Sequence, residues 1–134
     1  MKKNIKLKSK QAIICVDDEK SILAALEQQI SRQFVDDYIL EFAQSGEEAI
    51  EILNQLNEED STVSFVITDH MMPGIKGSEL IEIIHEKYPE TKCILLSGYA
   101  DSEQLKNLSH QNLLASLSKP WNNEQLMHIL NSQN

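Results

Sequence analysis

Five side chains that could do chemistry each follow closely on a short apolar run. In chain order they are Asp17, Asp18, Asp69, Ser97 and Lys119. Three carboxylates within a few ångströms of one another raise one another's pKa values, so they stay ionised only with a cation among them. Oxygen ligands in a small cluster suit Mg²⁺, which shares its remaining positions with waters and phosphate oxygens.

The lysine and the serine complete a set suited to phosphate. An ammonium group contacts phosphate as a positive charge, and a hydroxyl can donate a hydrogen bond to a phosphoryl oxygen. An aspartate can itself be the nucleophile and form an aspartyl phosphate. The set predicts a phosphoryl-transfer site in which charge neutralisation and positioning do most of the work. Taken alone, the adjacent pair Asp17 and Asp18 is as typical of a helix cap as it is of a functional site.

Short apolar runs predict five strands, and apolar residues at helical spacing follow each of them. The predicted strands are residues 12–16, 38–43, 65–68, 93–96 and 113–117. Three of the helices begin with a polar residue that has Glu or Gln three positions later, the spacing of an N-terminal cap. These pairs are Ser45 with Glu48, Asp101 with Gln104, and Asn122 with Gln125. Pro89 ends the third helix.

Strands that are apolar without period-two alternation are covered on both faces. They predict an α/β fold with a doubly wound, five-stranded parallel sheet and five helices on its two sides. Ligands bind such sheets beyond the carboxyl ends of the strands. The fold would therefore bring the five side chains to one edge.

Composition limits the function further. The chain has 134 residues and a net charge of −9, which indicates one domain over residues 11–134 after a flexible, lysine-rich lead at 1–10. Without that lead, 7 bases face 21 acids, which argues against nucleic-acid binding through a basic face. No apolar run is long enough for a membrane helix, so we expect a cytoplasmic protein.

The cysteines, histidines and Met72 are expected to have structural roles and no chemical one. Cys15 and Cys93 are far apart and lie within predicted strands, which indicates buried thiols and no disulfide or zinc site. The four histidines have no spaced metal partner and are expected at the surface or half-buried, with His70 at the mouth of the site. Met72 is expected to pack in the interior.

Four motifs together resemble the response-regulator receiver domain of bacterial two-component signalling, over essentially residues 11–131. They are CVDDE at 15–19, ITDHMMPGIKG at 67–77, LLSGYAD at 95–101 and SLSKPW at 116–121. The resemblance implies a flavodoxin-like three-layer sandwich with strand order 2-1-3-4-5. One departure stands at Ser116, where most receivers carry an aromatic residue that changes rotamer on activation.

The resemblance also implies a role for each site residue. Asp69 would accept the phosphoryl group, and Ser97 and Lys119 would contact it. Mg²⁺ would be bound by Asp18, Asp69 and the backbone carbonyl of Met71, with Asp17 acting mainly through a bound water. The peptide bond between Lys119 and Pro120 would be cis, which is allowed at modest cost before proline.

The function expected from the resemblance is a signalling phosphoacceptor and not a turnover enzyme. Its donor would be a sensor histidine kinase or a histidine phosphotransfer domain, and its output would pass to a downstream effector protein or domain. Two alternatives stay open. One is a docking module that works without phosphorylation. The other, disfavoured because strand 1 ends in Asp-Asp, is a haloacid-dehalogenase-type phosphatase, which needs Asp-x-Asp there.

Overall fold

A computed structural model describes residues 11–34, 37–98 and 112–133. The described elements are β1 (Gln11–Val16), α1 (Lys20–Gln33), β2 (Ile39–Ala43), α2 (Gly46–Glu58), β3 (Thr62–Asp69), α3 (Gly77–Lys87), β4 (Lys92–Ser97), β5 (Leu113–Ser118) and α4 (Asn123–Ser132). The helix predicted to begin at Asp101 lies outside the described residues. No helix within the described ranges is long and apolar enough to cross a membrane.

All five strands form one parallel sheet in the order β2-β1-β3-β4-β5. The predicted order is confirmed. Successive side chains of a strand point to opposite faces, and both faces of β1 are apolar: Ile14 and Val16 belong to one buried cluster, Ile13 and Cys15 to the other. Helices α2 and α3 cover the first cluster, and α1 and α4 cover the second. Because the strands are buried on both faces, their sequences are continuous apolar runs.

Strand β3 is longer than the sequence predicts, because it begins at Thr62 and not at Phe65. Its pairing with β1 shifts register between Ala12 and Ile13, so that Ser64 is left without a partner position in β1. The Ser64 hydroxyl instead donates to the side chain of Gln11 over 2.9 Å. This irregularity lies at the amino end of the strand, far from its carboxyl end at Asp69.

Two of the predicted helix starts lie in described residues, and both are confirmed. Ser45 Oγ accepts from the backbone N–H of Glu48 at 3.1 Å, and Asn122 Oδ1 accepts from that of Gln125 at 2.9 Å. The Glu48 carboxylate closes the first cap by accepting from the backbone of Gln44, one residue earlier than in a capping box.

Candidate functional site

The carboxyl ends of the strands bring the predicted residues together. In the sheet, Val16 of β1 pairs with Thr68 of β3, and Asp69 pairs with Leu96 of β4. Ser97, the last residue of β4, pairs with Ser118 of β5. Because these ends are level, the residues that terminate or follow the strands lie at one edge of the sheet.

Three carboxylates form an acidic cluster at this edge, made of Asp17, Asp18 and Asp69. One oxygen from each lies within 4.8 Å of the others. Asp17 is fully buried and Asp69 is 5% exposed, whereas Asp18 is exposed to solvent. The cluster is therefore buried on one side and open on the other, as a site that exchanges small ligands with water requires.

Lys119 lies between the two buried members of the cluster. Its Nζ is 3.0 Å from Asp17 Oδ2 and 2.9 Å from Asp69 Oδ1. Its backbone N–H donates to the carbonyl of Ser97 at 2.8 Å, which ties the loop after β5 to the end of β4. The peptide bond from Lys119 to Pro120 is cis, as expected.

Burial and the ion pairs act in opposite directions on the pKa values of Asp69 and Lys119. Burial raises the pKa of the Asp69 carboxyl, and the Asp17 charge adds to the rise, while Lys119 and the backbone N–H of His70 oppose it. Burial alone would lower the pKa of Lys119, but hydrogen bonds and charge from Asp69 and Asp17 raise it. Lys119 therefore stays protonated at neutral pH and supplies a fixed positive charge to the cluster.

Both carboxylate oxygens of Asp17 are engaged. Oδ2 meets Lys119, and Oδ1 accepts from the backbone N–H of Glu19 at 2.9 Å, just before α1 begins at Lys20. The helix-cap interpretation is not confirmed, because the N-cap of α1 is Glu19, which makes no side-chain cap hydrogen bond, and the Asp17 carboxylate binds the backbone before the first turn. Asp18, in contrast, is exposed to solvent.

The remaining predicted residues lie at or just after the ends of β3 and β4. Ser97 is 6% exposed at the end of β4. Met71 follows Asp69 by two residues and is 45% exposed, whereas Met72 is buried in the core, as expected. The interpretation of His70 was wrong: it is 2% exposed and does not line an open mouth. Its backbone N–H donates to Leu96 and its carbonyl accepts from Gly77, which holds the chain inward at this point.

The two cysteines match their sequence interpretation as buried thiols. Both cysteines are buried, and burial raises the pKa of Cys15 and of Cys93 to about 12. Ser116 is exposed on β5. Trp121 is half-buried, and its indole N–H donates to Gln29 of α1 at 2.9 Å. This last contact, like the pairing of Lys119 with two aspartates, has no local signal in the sequence.

The sequence pattern of the response regulator receiver domain family matches residues 13–131. The chain belongs to this family. The receiver domain is the signalling module of two-component regulators, and the chain is similar to part of several longer regulatory proteins. The hydrogenase transcriptional regulatory protein HoxA of Cupriavidus necator is 30% identical over 86% of the chain, and the sensor kinase CckA of Brucella abortus is 35% identical over 66%.

Solved structures agree with the sequence relatives. The signal receiver domain of an HD domain-containing protein from Pseudomonas fluorescens is 29% identical, with a TM-score of 0.74, and the match covers 93% of this chain and 94% of that one. A CheY-like receiver domain protein from Methanospirillum hungatei is 25% identical, with a TM-score of 0.72 and 94% coverage of both chains. The curated relatives are longer proteins, because the chain spans 22% of HoxA and 9% of CckA.

Proposed function

We propose that residues 11–134 form a single receiver domain that takes a phosphoryl group on Asp69 from a phosphohistidine. The observation that supports this most strongly is the position of Lys119, within 3.0 Å of two buried aspartates and beside an exposed third one. Such a cluster combines a nucleophilic carboxylate, a permanent positive charge and an opening to solvent. These are the components that phosphoryl transfer needs.

The donor set fits Mg²⁺. The ligands on offer are carboxylate and carbonyl oxygens, which this ion prefers, and the open side of the cluster leaves room for its waters. In the proposal Asp18, Asp69 and the carbonyl of Met71 hold the ion, and Asp17 contributes mainly through a bound water. The engagement of both Asp17 oxygens supports the indirect role. The ion would neutralise charge on the phosphoryl oxygens.

The transfer itself is a displacement at phosphorus. A carboxylate oxygen of Asp69 attacks, a P–O bond forms, and the P–N bond to the donor imidazole breaks as that ring leaves with the electron pair. Lys119 then faces a phosphoryl group in place of a bare carboxylate, and Ser97 donates a hydrogen bond to it. Slow hydrolysis of the mixed anhydride returns Asp69, so the domain catalyses only its own phosphorylation and dephosphorylation.

The partners follow from this chemistry. The donor is a sensor histidine kinase or a histidine phosphotransfer domain in the cytoplasm, and the phosphorylated form changes binding to an effector protein or domain. No direct contact with nucleic acid is proposed, because the residues from 11 onward carry 21 acids against 7 bases. The phosphatase alternative would need an Asp-x-Asp pattern after β1 with the nucleophile there, but the chain has the adjacent pair Asp17 and Asp18 at that position.

Labelling with phosphoramidate and Mg²⁺, followed by intact mass, tests the proposal. We expect one phosphoryl group per chain, lost slowly and sensitive to hydroxylamine, and none in Asp69→Asn. Many turnovers of phosphoramidate would indicate the phosphatase, and no labelling at all would indicate the docking module. Undiminished labelling of Asp69→Asn would remove the assignment of the nucleophile.

The metal is tested separately by thermal unfolding. A ligand that binds only the folded state at ten times its Kd stabilises it by about 1.4 kcal/mol. Mg²⁺ should therefore raise the Tm, and Asp18→Ala should abolish the rise. Asp37→Ala, an exposed aspartate before β2, is the matched control and should keep it. A Tm insensitive to millimolar Mg²⁺ would argue for a metal-free module.

A further inference from the structure

The first residue of α3 packs directly on the backbone that carries Asp69. Gly77 is buried, and its N–H donates to the carbonyl of His70 at 2.8 Å. A Cβ placed on Gly77 would overlap the backbone oxygen of Asp69, and would lie 2.8 Å from the Cα of His70. Both neighbours are main-chain atoms in a strand end, so neither can turn aside as a flexible side chain would.

The backbone at this point is fixed from both sides. On one side the N–H of His70 donates to Leu96 of β4 at 2.9 Å, and on the other its carbonyl accepts from Gly77. The His70 N–H also hydrogen-bonds to the Asp69 carboxylate, where it opposes the rise in pKa that burial causes. Any shift of His70 therefore reaches the carboxylate that we propose as the nucleophile.

Gly46 provides an internal comparison. It is the first residue of α2, as Gly77 is of α3, and it too is buried. A Cβ on Gly46 would lie 3.0 Å from Cβ and 3.2 Å from Cγ2 of Ile75, which are side-chain atoms. The two glycines thus share a helix position and differ in what they touch.

We infer that Gly77 is a positioning residue for phosphoryl transfer: its lack of a side chain lets α3 hold the Asp69–His70 backbone where the carboxylate is productive. The inference rests on the proposed function, since it concerns the placement of the same nucleophile. It assigns to α3 a role in the reaction although its first residue bears no functional group. A purely structural glycine would affect stability and leave the chemistry of the folded protein unchanged.

The experiment compares wild type, Gly77→Ala and Gly46→Ala. Each is assayed for initial rate of phosphoramidate labelling per folded molecule, and for the rise in Tm caused by Mg²⁺ and beryllofluoride. For Gly77→Ala we expect labelling about 100-fold slower, the loss that a displacement of ~1 Å at a reacting group causes, together with a smaller ligand-induced rise in Tm. Gly46→Ala should label at the wild-type rate.

A wild-type labelling rate in folded Gly77→Ala would overturn the inference, and so would an equal loss in Gly46→Ala. If the wild type itself is not labelled, the proposed function fails, and this result differs from a loss of labelling in Gly77→Ala alone.

If Gly77→Ala does not fold, hydrogen exchange in the wild type tests the inference instead. Beryllofluoride should slow exchange of the Gly77 amide more than that of Ala49, which donates to Ser45 in the first turn of α2. Equal slowing would overturn the inference.

Discussion

Lys119 and Asp17 form an ion pair between residues 102 positions apart in the chain, with Nζ and Oδ2 separated by 3.0 Å. The side chain of Asp17 is fully buried and that of Lys119 is 21% exposed. The same Nζ also contacts Asp69. A lysine in this position supplies the positive charge that a bound cation would otherwise supply. A cation bound by these carboxylates would therefore compete electrostatically with Lys119.

Removing this lysine should tighten Mg²⁺ binding. In Lys119→Met the cluster keeps its three carboxylates and loses a positive charge beside them, so we expect the Kd for Mg²⁺ to fall about tenfold, or about 1.4 kcal/mol. A metal titration followed by Tm measures this. Lys87→Met, which alters a lysine at the far end of α3, is the control and should leave the Kd unchanged. Weaker binding in Lys119→Met would contradict the competition.

Neutralising the proposed nucleophile should stabilise the metal-free protein at neutral pH. The pKa of Asp69 is raised by burial, so its ionised form destabilises the fold above that pKa, and the penalty disappears as the pH falls through the raised pKa toward the ordinary aspartate value. Asp69→Asn should therefore have a higher Tm than wild type at pH 7, and the two should converge on acidification. An equal gap for the exposed Asp37→Asn would show that only the net charge matters.

The two thiols should be inert in the folded protein. With pKa values of about 12 for Cys15 and Cys93, the thiolate fraction at pH 8 is only ~10⁻⁴, and neither sulfur is accessible. Dithionitrobenzoate should release no chromophore from the native chain. It should react with both cysteines once guanidinium unfolds it. Fast reaction of a native thiol would show that β1 or β4 opens locally.

Trp121 should report ligand binding at the cluster. It follows Lys119 by two residues, is half-buried, and is held to α1 through Gln29. Mg²⁺ should change its emission, and beryllofluoride should change it again as Lys119 is drawn to the phosphoryl analogue. Asp69→Ala should lose the second step and Lys119→Ala should reduce it. A full beryllofluoride response in Asp69→Ala would contradict the proposed site.

Much of the fold follows from local patterns in the sequence. Apolar runs predict the strands because β1, β3 and β4 are buried on both faces, and the caps at Ser45 and Asn122 depend on residues only three positions away. The amino end of β3 was missed because Ser64 interrupts the apolar run. The pairing of Thr62 and Val63 with β1, which is distant in sequence, makes this segment part of the strand.

The candidate site was predictable as a set of residues but not as a geometry. Carboxylates after strands 1 and 3 and a lysine after strand 5 indicate a shared edge. The sequence does not show that Lys119 contacts both Asp17 and Asp69. Nor does it show that His70 turns inward, because that depends on backbone contacts to Leu96 and Gly77 from two other elements. Such contacts are set by tertiary packing, which local spacing does not encode.

The distance along the chain between the members of the ion pair has a kinetic consequence. Asp17 and Lys119 directly follow β1 and β5, and Asp69 is the last residue of β3, so the cluster forms only when three strands that are distant in sequence have come together. Contacts of such long range form late, after the loop-closure entropy has been overcome. An interaction absent from the folding transition state acts on the unfolding rate alone. Mg²⁺ should therefore lengthen the lifetime of the native chain and leave its rate of folding unchanged.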